Sequence, residues 1–473
     1  MHSSLRAIAV AAVLAFCAGA APALAGDAAP ATVTLKFSEG TALRIRQGAV
    51  VSAAPQAAAT AGAVGGAFSA AGVDLSSARR LIDRPEAEID AERGAVAATT
   101  AEAVPDLNLF YVVPVPPGTT AAAFAARLRA LPGVESAEPS ATPAPPPVDL
   151  SPKTPSLVSK QGYRAVPPKG VGVLDPAKYP GSRGTGVTLI DVEYSWQYNH
   201  EDLELKSSIN IDTGATASDP FSDTDHGTAV LGEIFGRSNA YGVTGLATGV
   251  AVKVAPANTT QFGYNPARAI SLATGKLKAG DVLVIEQQYP ACGLSDYGPL
   301  EWLPEVFAAV KIATQKGIVV VEAAGNGNVN LDAAGCQGRF DRKVRNSGAI
   351  IVGAGSSAGR AKMWFSSHGA RVDVQGWGEN VYTTGYGDVF APDVRQLYTA
   401  TFGGTSSATP IVAGVVAQIQ GALKGRGLKP ATPAEMRAAL VATGTPQSDP
   451  RNGRIGPLPA TEKALQRILA NRS

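Results

Sequence analysis

The run Gly403-Gly404-Thr405-Ser406-Ser407-Ala408-Thr409-Pro410 puts serine hydroxyls on a glycine-freed turn, immediately ahead of a stretch that reads as helix. Paired glycines permit sharp backbone angles and close approach of a substrate, and Pro410 is tolerated in a first helical turn, where its missing N–H leaves no bond unmade. Ile411, Val412, Val415, Val416 and Ile419 recur at helical spacing. Ser406 would therefore face the positive end of a buried helix, where developing negative charge is stabilised. That setting suits a nucleophile; a small-residue turn feeding a core helix also fits these residues taken alone.

A nucleophilic serine needs a base, and the chain has 4 histidines. His200 lies in a polar loop, His368 lacks a motif and His2 belongs to the leader described below. His226 sits in Asp225-His226-Gly227-Thr228 at the start of a helical stretch with Val230, Leu231 and Ile234 inward, which makes it the best candidate general base. Read alone it fits a structural histidine better. Asp191 ends the apolar run Val187-Thr188-Leu189-Ile190-Asp191, a costly place for an acid unless a neighbour such as a histidine bonds to it. Asn326, in Glu322-Ala323-Ala324-Gly325-Asn326-Gly327, could donate its amide to an oxyanion, or serve only as a turn asparagine.

These residues must be carried by a sheet. Short β-branched runs at 187–190, 282–285, 318–321 and 349–352 read as buried parallel strands, and 304–315 as a helix burying Val306, Ala309, Val310 and Ala313. The predicted class is α/β, a three-layer sandwich with a mostly parallel central sheet, in which ligands gather beyond the carboxyl ends of the strands. Upstream, alternating Val33, Leu35 and Phe37, a strand at 109–115, a helix capped by Thr120 and a strand at 134–137 make a small α+β module. The alanine- and glycine-rich residues 53–103 give only a helical hint near 76–82. Pro143, Pro145, Pro146, Pro147, Pro152 and Pro155 then mark an extended linker open to proteolysis.

Taken in order, Asp191, His226, Asn326 and Ser406 resemble the subtilisin-like serine peptidases, or subtilases. The resemblance covers residues 184–444, and its most specific pieces are His226-Gly227-Thr228 and Gly404-Thr405-Ser406-x-Ala408-x-Pro410. It implies that Ser406 attacks a peptide carbonyl, His226 takes and returns the proton, Asp191 orients the imidazole and Asn326 completes the oxyanion hole. It also implies that the N-terminal module is a propeptide acting as intramolecular inhibitor, and that Glu286, Gln287, Gln288, Ala323, Ala324 and Gly325 line the substrate cleft. The chain departs from the family in having Val192-Glu193 after Asp191, Ala229 where a second histidine is frequent, and a bulky polar Glu286-Gln287-Gln288 in place of small residues. Glu286 would favour basic substrate residues, or else turn to solvent or bond locally. Family members often bind calcium; Asp212, Asp219, Asp223 and Asp225 lack a fixed ligand spacing and read as a solvated acidic loop, so no cofactor is expected to be required.

The remaining features set the compartment and exclude other classes. Arg6, the apolar residues 7–20 and Ala23-Leu24-Ala25 read as a signal peptide over 1–25, followed by the propeptide at 26–150 and the peptidase domain at 151–473. Export to the periplasm or medium leaves Cys292 and Cys336 as an even pair, expected to form a disulfide and lacking the spacing of a zinc site. A net charge of +2 among 473 residues, without basic stripes, names no nucleic-acid partner, and no later apolar run is long enough to span a bilayer. The expected function is a self-processed secreted serine endopeptidase acting on polypeptides. A catalytically inactive subtilase scaffold that binds peptides is the alternative, and a sedolisin-type carboxyl peptidase is disfavoured because His226 is not replaced by glutamate.

Overall fold

The computed structural model describes residues 31–142, 158–239 and 241–472. The expected signal peptide and most of the proline-rich linker lie outside them. The N-terminal module contains β1 (Thr32–Phe37), β2 (Leu43–Arg46), β3 (Ala49–Ser52), α1 (Ala58–Ala70), β4 (Arg79–Arg80), α2 (Glu86–Ala97), β5 (Phe110–Pro114), α3 (Ala121–Arg129) and β6 (Val134–Pro139). Its four-stranded sheet has the order β4-β5-β1-β6. Alternation decides the two faces: Val33, Leu35, Phe37, Tyr111 and Val113 pack with Phe68, Phe124 and Leu128 from the helices, while Phe110 and Val112 face the other way. Thr120 caps α3 by accepting from the Ala123 N–H at 3.2 Å.

Residues 76–82 hold the short strand β4, not a helix, and the helices of this region are α1 and α2 on either side of it. Their alanine-rich sequences bury few residues, Ala61, Val64 and Phe68 in α1 and Ile89 and Val96 in α2, so the apolar stripe that would announce them is faint.

The rest of the chain begins with β7 (Thr188–Glu193), α4 (Asp225–Phe235) and β8 (Ala251–Pro256). A small hairpin, β9 (Asn258–Thr259) and β10 (Gly263–Tyr264), leads to α5 (Pro266–Lys276). Then come β11 (Val282–Ile285), a second hairpin of β12 (Gln288–Pro290) and β13 (Tyr297–Pro299), α6 (Pro304–Gln315) and β14 (Val319–Ala323). The last strands are β15 (Ile350–Gly355), β16 (Val374–Trp377), β17 (Val381–Thr384) and β18 (Tyr398–Phe402). Three helices close the chain, α7 (Thr405–Gly425), α8 (Pro433–Thr443) and α9 (Thr461–Ala470).

Six strands form one parallel sheet in the order β16-β15-β14-β11-β7-β8. Leu189, Val282, Val284, Val319, Val321, Ile350 and Val352 face α4, α7, α8 and α9; Ile190, Val192, Leu283, Ile285, Val320 and Ile351 face α5 and α6. Continuous apolar strands are what a sheet covered on both sides requires, and the predicted three-layer sandwich is the fold observed. The N-terminal module extends the α5–α6 side, because Leu81, Ile82, Ile89, Val96, Phe110 and Val112 belong to the same apolar core. Polar ties reinforce that contact: Asn265 Nδ2 donates to the Leu81 carbonyl at 2.7 Å and Arg268 Nε to Asp83 at 2.7 Å.

Candidate active site

Ser406 and His226 both occupy the second position of a helix, α7 and α4 respectively. Gly404 precedes α7 with φ of 87°, a conformation that glycine adopts without strain. Helix α7 begins at Thr405, so Pro410 falls inside it and not in its first turn as expected. Of the two neighbouring serines, Ser407 is committed: its Oγ donates to the Trp377 carbonyl at 2.8 Å or the Gly404 carbonyl at 3.1 Å. Ser406 Oγ is buried and makes no hydrogen bond, which leaves its hydroxyl available for chemistry.

The carboxylate on His226 is that of Glu193, the last residue of β7, with Nδ1 to Oε2 at 2.8 Å. The other oxygen, Oε1, accepts from Gln287 Nε2 at 2.9 Å and from the Tyr194 N–H at 2.7 Å. A carboxylate can only accept, so this contact fixes the proton on Nδ1 and leaves the Nε2 lone pair as the basic position. His226 also meets the Phe402 ring edge-on, at 5.7 Å between centroids, at the end of the strand that leads into Ser406.

The expectation that Asp191 orients His226 is corrected here. Asp191 and Glu193 point to the same face of β7 because side chains repeat every two residues, and only the one at the strand end reaches the imidazole. Asp191 lies one repeat deeper, where its Oδ2 accepts from Trp196 Nε1 at 2.8 Å and its Oδ1 has no partner. Burial first, and the neighbouring Glu193 charge second, push its carboxyl up to about 8. Trp196 packs directly under Gly227, where an added Cβ would come within 2.8 Å of the indole. Asp191 thus braces the indole beside His226.

Asn326 follows β14, and its amide orientation is set from outside. Its Oδ1 accepts from the Thr405 N–H at 2.8 Å and Thr405 Oγ1 at 3.0 Å, while its own N–H donates to Gln288 Oε1 at 2.9 Å. The Nδ2 group is left buried and unpartnered, a donor one residue from the serine that follows Thr405. The backbone N–H of Ser406, in the first turn of α7, is among the groups a helix start leaves without an intrahelical acceptor.

The strand predicted to line the cleft is organised differently from expectation. Gln287 and Gln288 hold Glu193 and Asn326, and Glu286 is 3% exposed with neither carboxyl oxygen bonded. Burial, reinforced by Asp191, Glu193 and Glu233, raises the Glu286 carboxyl well above its ordinary range and favours its neutral form. The acid is therefore not turned to solvent. Ala323 and Ala324 are buried, and Gly325 and Gly327 lie against the β12–β13 hairpin so closely that a Cβ would meet Gly298 at 2.8 Å and the Tyr297 nitrogen at 2.1 Å. The expected disulfide joins Cys292, in the turn of that hairpin, to Cys336.

The acidic run ahead of His226 is engaged by protein groups. Asp212 pairs with Arg268, and Asp219 takes the Ser195 hydroxyl and the N–H groups of Phe221 and Asp223. Among the described residues no group of three or more His, Cys, Asp or Glu is placed to hold a metal ion. His200 is committed to backbone, with Nε2 on the Leu397 carbonyl and Nδ1 accepting from the Asp202 N–H.

Strand and helix ends of a parallel three-layer sheet carry Ser406, a His226 bound to Glu193 and an Asn326 bound to Thr405, the residue types that a serine hydrolase uses. The subtilase family model matches residues 182–456, and the chain belongs to that family as a serine-type endopeptidase. It is 30% identical over 288 residues to the subtilisin-like serine protease Rho m 2.0101 of Rhodotorula mucilaginosa, covering 59% of this chain and 77% of that protein. It is also 30% identical over 283 residues to an intracellular serine protease of Paenibacillus polymyxa, covering 58% and 79%. Among solved structures, fervidolysin from Fervidobacterium pennivorans, a keratinolytic enzyme related to subtilisin, aligns at a TM-score of 0.52 and 18% identity over 93% of this chain and 61% of its own.

Proposed function

We propose that this chain is a secreted, self-processed serine endopeptidase whose triad is Glu193, His226 and Ser406. The observation that carries the assignment is the 2.8 Å contact between Glu193 Oε2 and His226 Nδ1. Ser406 Oγ attacks the scissile carbonyl while His226 Nε2 takes its proton; the tetrahedral oxyanion is met by Asn326 Nδ2 and the Ser406 N–H, each donor contributing about 3 kcal/mol. The amine leaves with the proton from His226, and water repeats the sequence to release the acyl group. Glu193 holds the ring and stabilises the imidazolium. Glu193, one of the departures from the family pattern, supports the enzyme as the partner of His226.

The N-terminal module supports the proenzyme reading. It docks on α5 and α6 through an apolar core and through the pairs Arg268–Asp83, Lys316–Glu92 and Lys311–Glu102, and its chain continues from β6 toward the proline-rich linker where cleavage is expected. Ser406→Ala is the test of both parts. The variant is expected to accumulate as uncleaved chain and to lose labelling by a serine-directed phosphonate; normal processing with undiminished proteolysis overturns the reading.

A further inference from the structure

We propose that Gln287 is a positioning residue for catalysis, holding Glu193 against His226. The inference rests on the triad reading above and explains why a bulky amide stands on a strand read from sequence as a cleft wall. Gln287 Nε2 donates to Glu193 Oε1 at 2.9 Å, across 94 residues of chain, and the side chain is buried. The orientation of that amide is dictated by Glu193. Gln287 Oε1 has no partner, and turning the amide over would set two acceptors face to face.

Glu193 has a particular need of such a clamp. A glutamate reaches His226 through one more rotatable bond than an aspartate, so its carboxylate has more ways to miss. It accepts from three donors, His226, Gln287 and the Tyr194 N–H, and between them they engage both oxygens. Two other buried carboxyls, Asp191 and Glu286, adjoin it, and burial together with the Glu193 charge raises both. Without the Gln287 amide, Oε1 retains only the N–H of the next residue, a contact that does not fix where the outer oxygen points.

The neighbouring Gln288 does the corresponding job at the other end of the site, accepting from the Asn326 N–H. Adjacent glutamines on one segment thus reach the acid and the oxyanion donor.

The test compares Gln287→Leu, Gln287→Glu and Glu193→Gln in the full chain, with thermal unfolding to confirm folding and kcat, KM and pH profiles measured on the matured enzymes. Gln287→Leu is expected to lower kcat by about 10–100-fold with KM nearly unchanged. Gln287→Glu, which adds negative charge beside the Glu193–His226 pair, is expected to move the acidic limb of kcat/KM upward by roughly one pH unit, since that charge favours the imidazolium. A change in KM alone, with the acidic limb of the glutamate variant unmoved, assigns Gln287 to the cleft wall and overturns the proposal. An active Glu193→Gln enzyme instead overturns the triad reading itself; an inactive one beside a normal Gln287→Leu enzyme overturns only the role of Gln287.

Discussion

The two ends of the site solve the same problem in opposite ways. At the Asn326 end, Thr405 and Gln288 engage the Oδ1 and N–H of the asparagine, and its Nδ2 remains a buried neutral donor. At the acid end, Asp191, Glu193 and Glu286 share buried space, and one oxygen of Asp191 and both of Glu286 have no hydrogen bond. Preorganised neutral dipoles are insensitive to pH and need no reorganisation during the reaction. Clustered carboxyls respond to pH and oppose folding whenever they ionise. The contrast assigns rigidity to one end and titration to the other.

The largest expected effect lies at the acid end. Glu193→Gln keeps the shape but presents either an amide donor or a weaker acceptor to His226 Nδ1, and kcat should fall by about 10⁴-fold. Asp191→Asn, measured beside it, should retain activity within a few-fold because Asn Oδ1 still accepts from Trp196. The reverse ranking in single-turnover acylation would exchange the roles of the two acids.

Next in size is Asn326→Ala, which removes the spare donor and should lower kcat by about 10²–10³-fold while leaving the midpoint of the acidic limb in place. A shifted limb would show that the two ends are electrostatically coupled, and would blur the contrast.

The smallest effect is on stability. The Asp191 carboxyl is raised to about 8 in the folded chain, against about 3.9 when unfolded. The folded state therefore holds the proton more tightly, and this contribution to stability is fully present below pH 4 and lost as pH rises toward 8. Asp191→Asn carries no such penalty. Its melting temperature should exceed that of the parent by about 2 °C or more at pH 8 and match it near pH 4. Equal differences at both pH values would mean that Asp191 titrates normally.

Much of this geometry was legible in the residues. Ser406, His226 and Asn326 each lie in a short segment whose glycines and small residues signal a tight approach, and the strands at 282–285 and helix at 304–315 appear where their apolar patterns put them. Residues 191 and 193 share a face, and a two-residue period does not say which of them meets His226. Position at the strand end was the available signal. Gln287 could not be read as a clamp, since its partner is 94 residues distant and joins it only when β7 and β11 pair. Helices α1 and α2 of the N-terminal module leave little trace in the sequence because alanine and glycine supply little contrast between faces, whereas α3 is announced by its Thr120 cap and apolar stripe.

Pro410 gives the nucleophile an unusual mounting. A residue at that position would ordinarily donate its N–H to the carbonyl of Ser406, four residues back, and proline has none to give. The first turn of α7 is instead moored sideways: Thr405 to Asn326 beyond β14, Ser407 to the Trp377 carbonyl at the end of β16, and the Gly404 N–H to the Gly378 carbonyl just after it. Mechanically, the serine rides on the sheet. The bond that proline removes from the helix is thus matched by ties from the first turn to the sheet ends on either side.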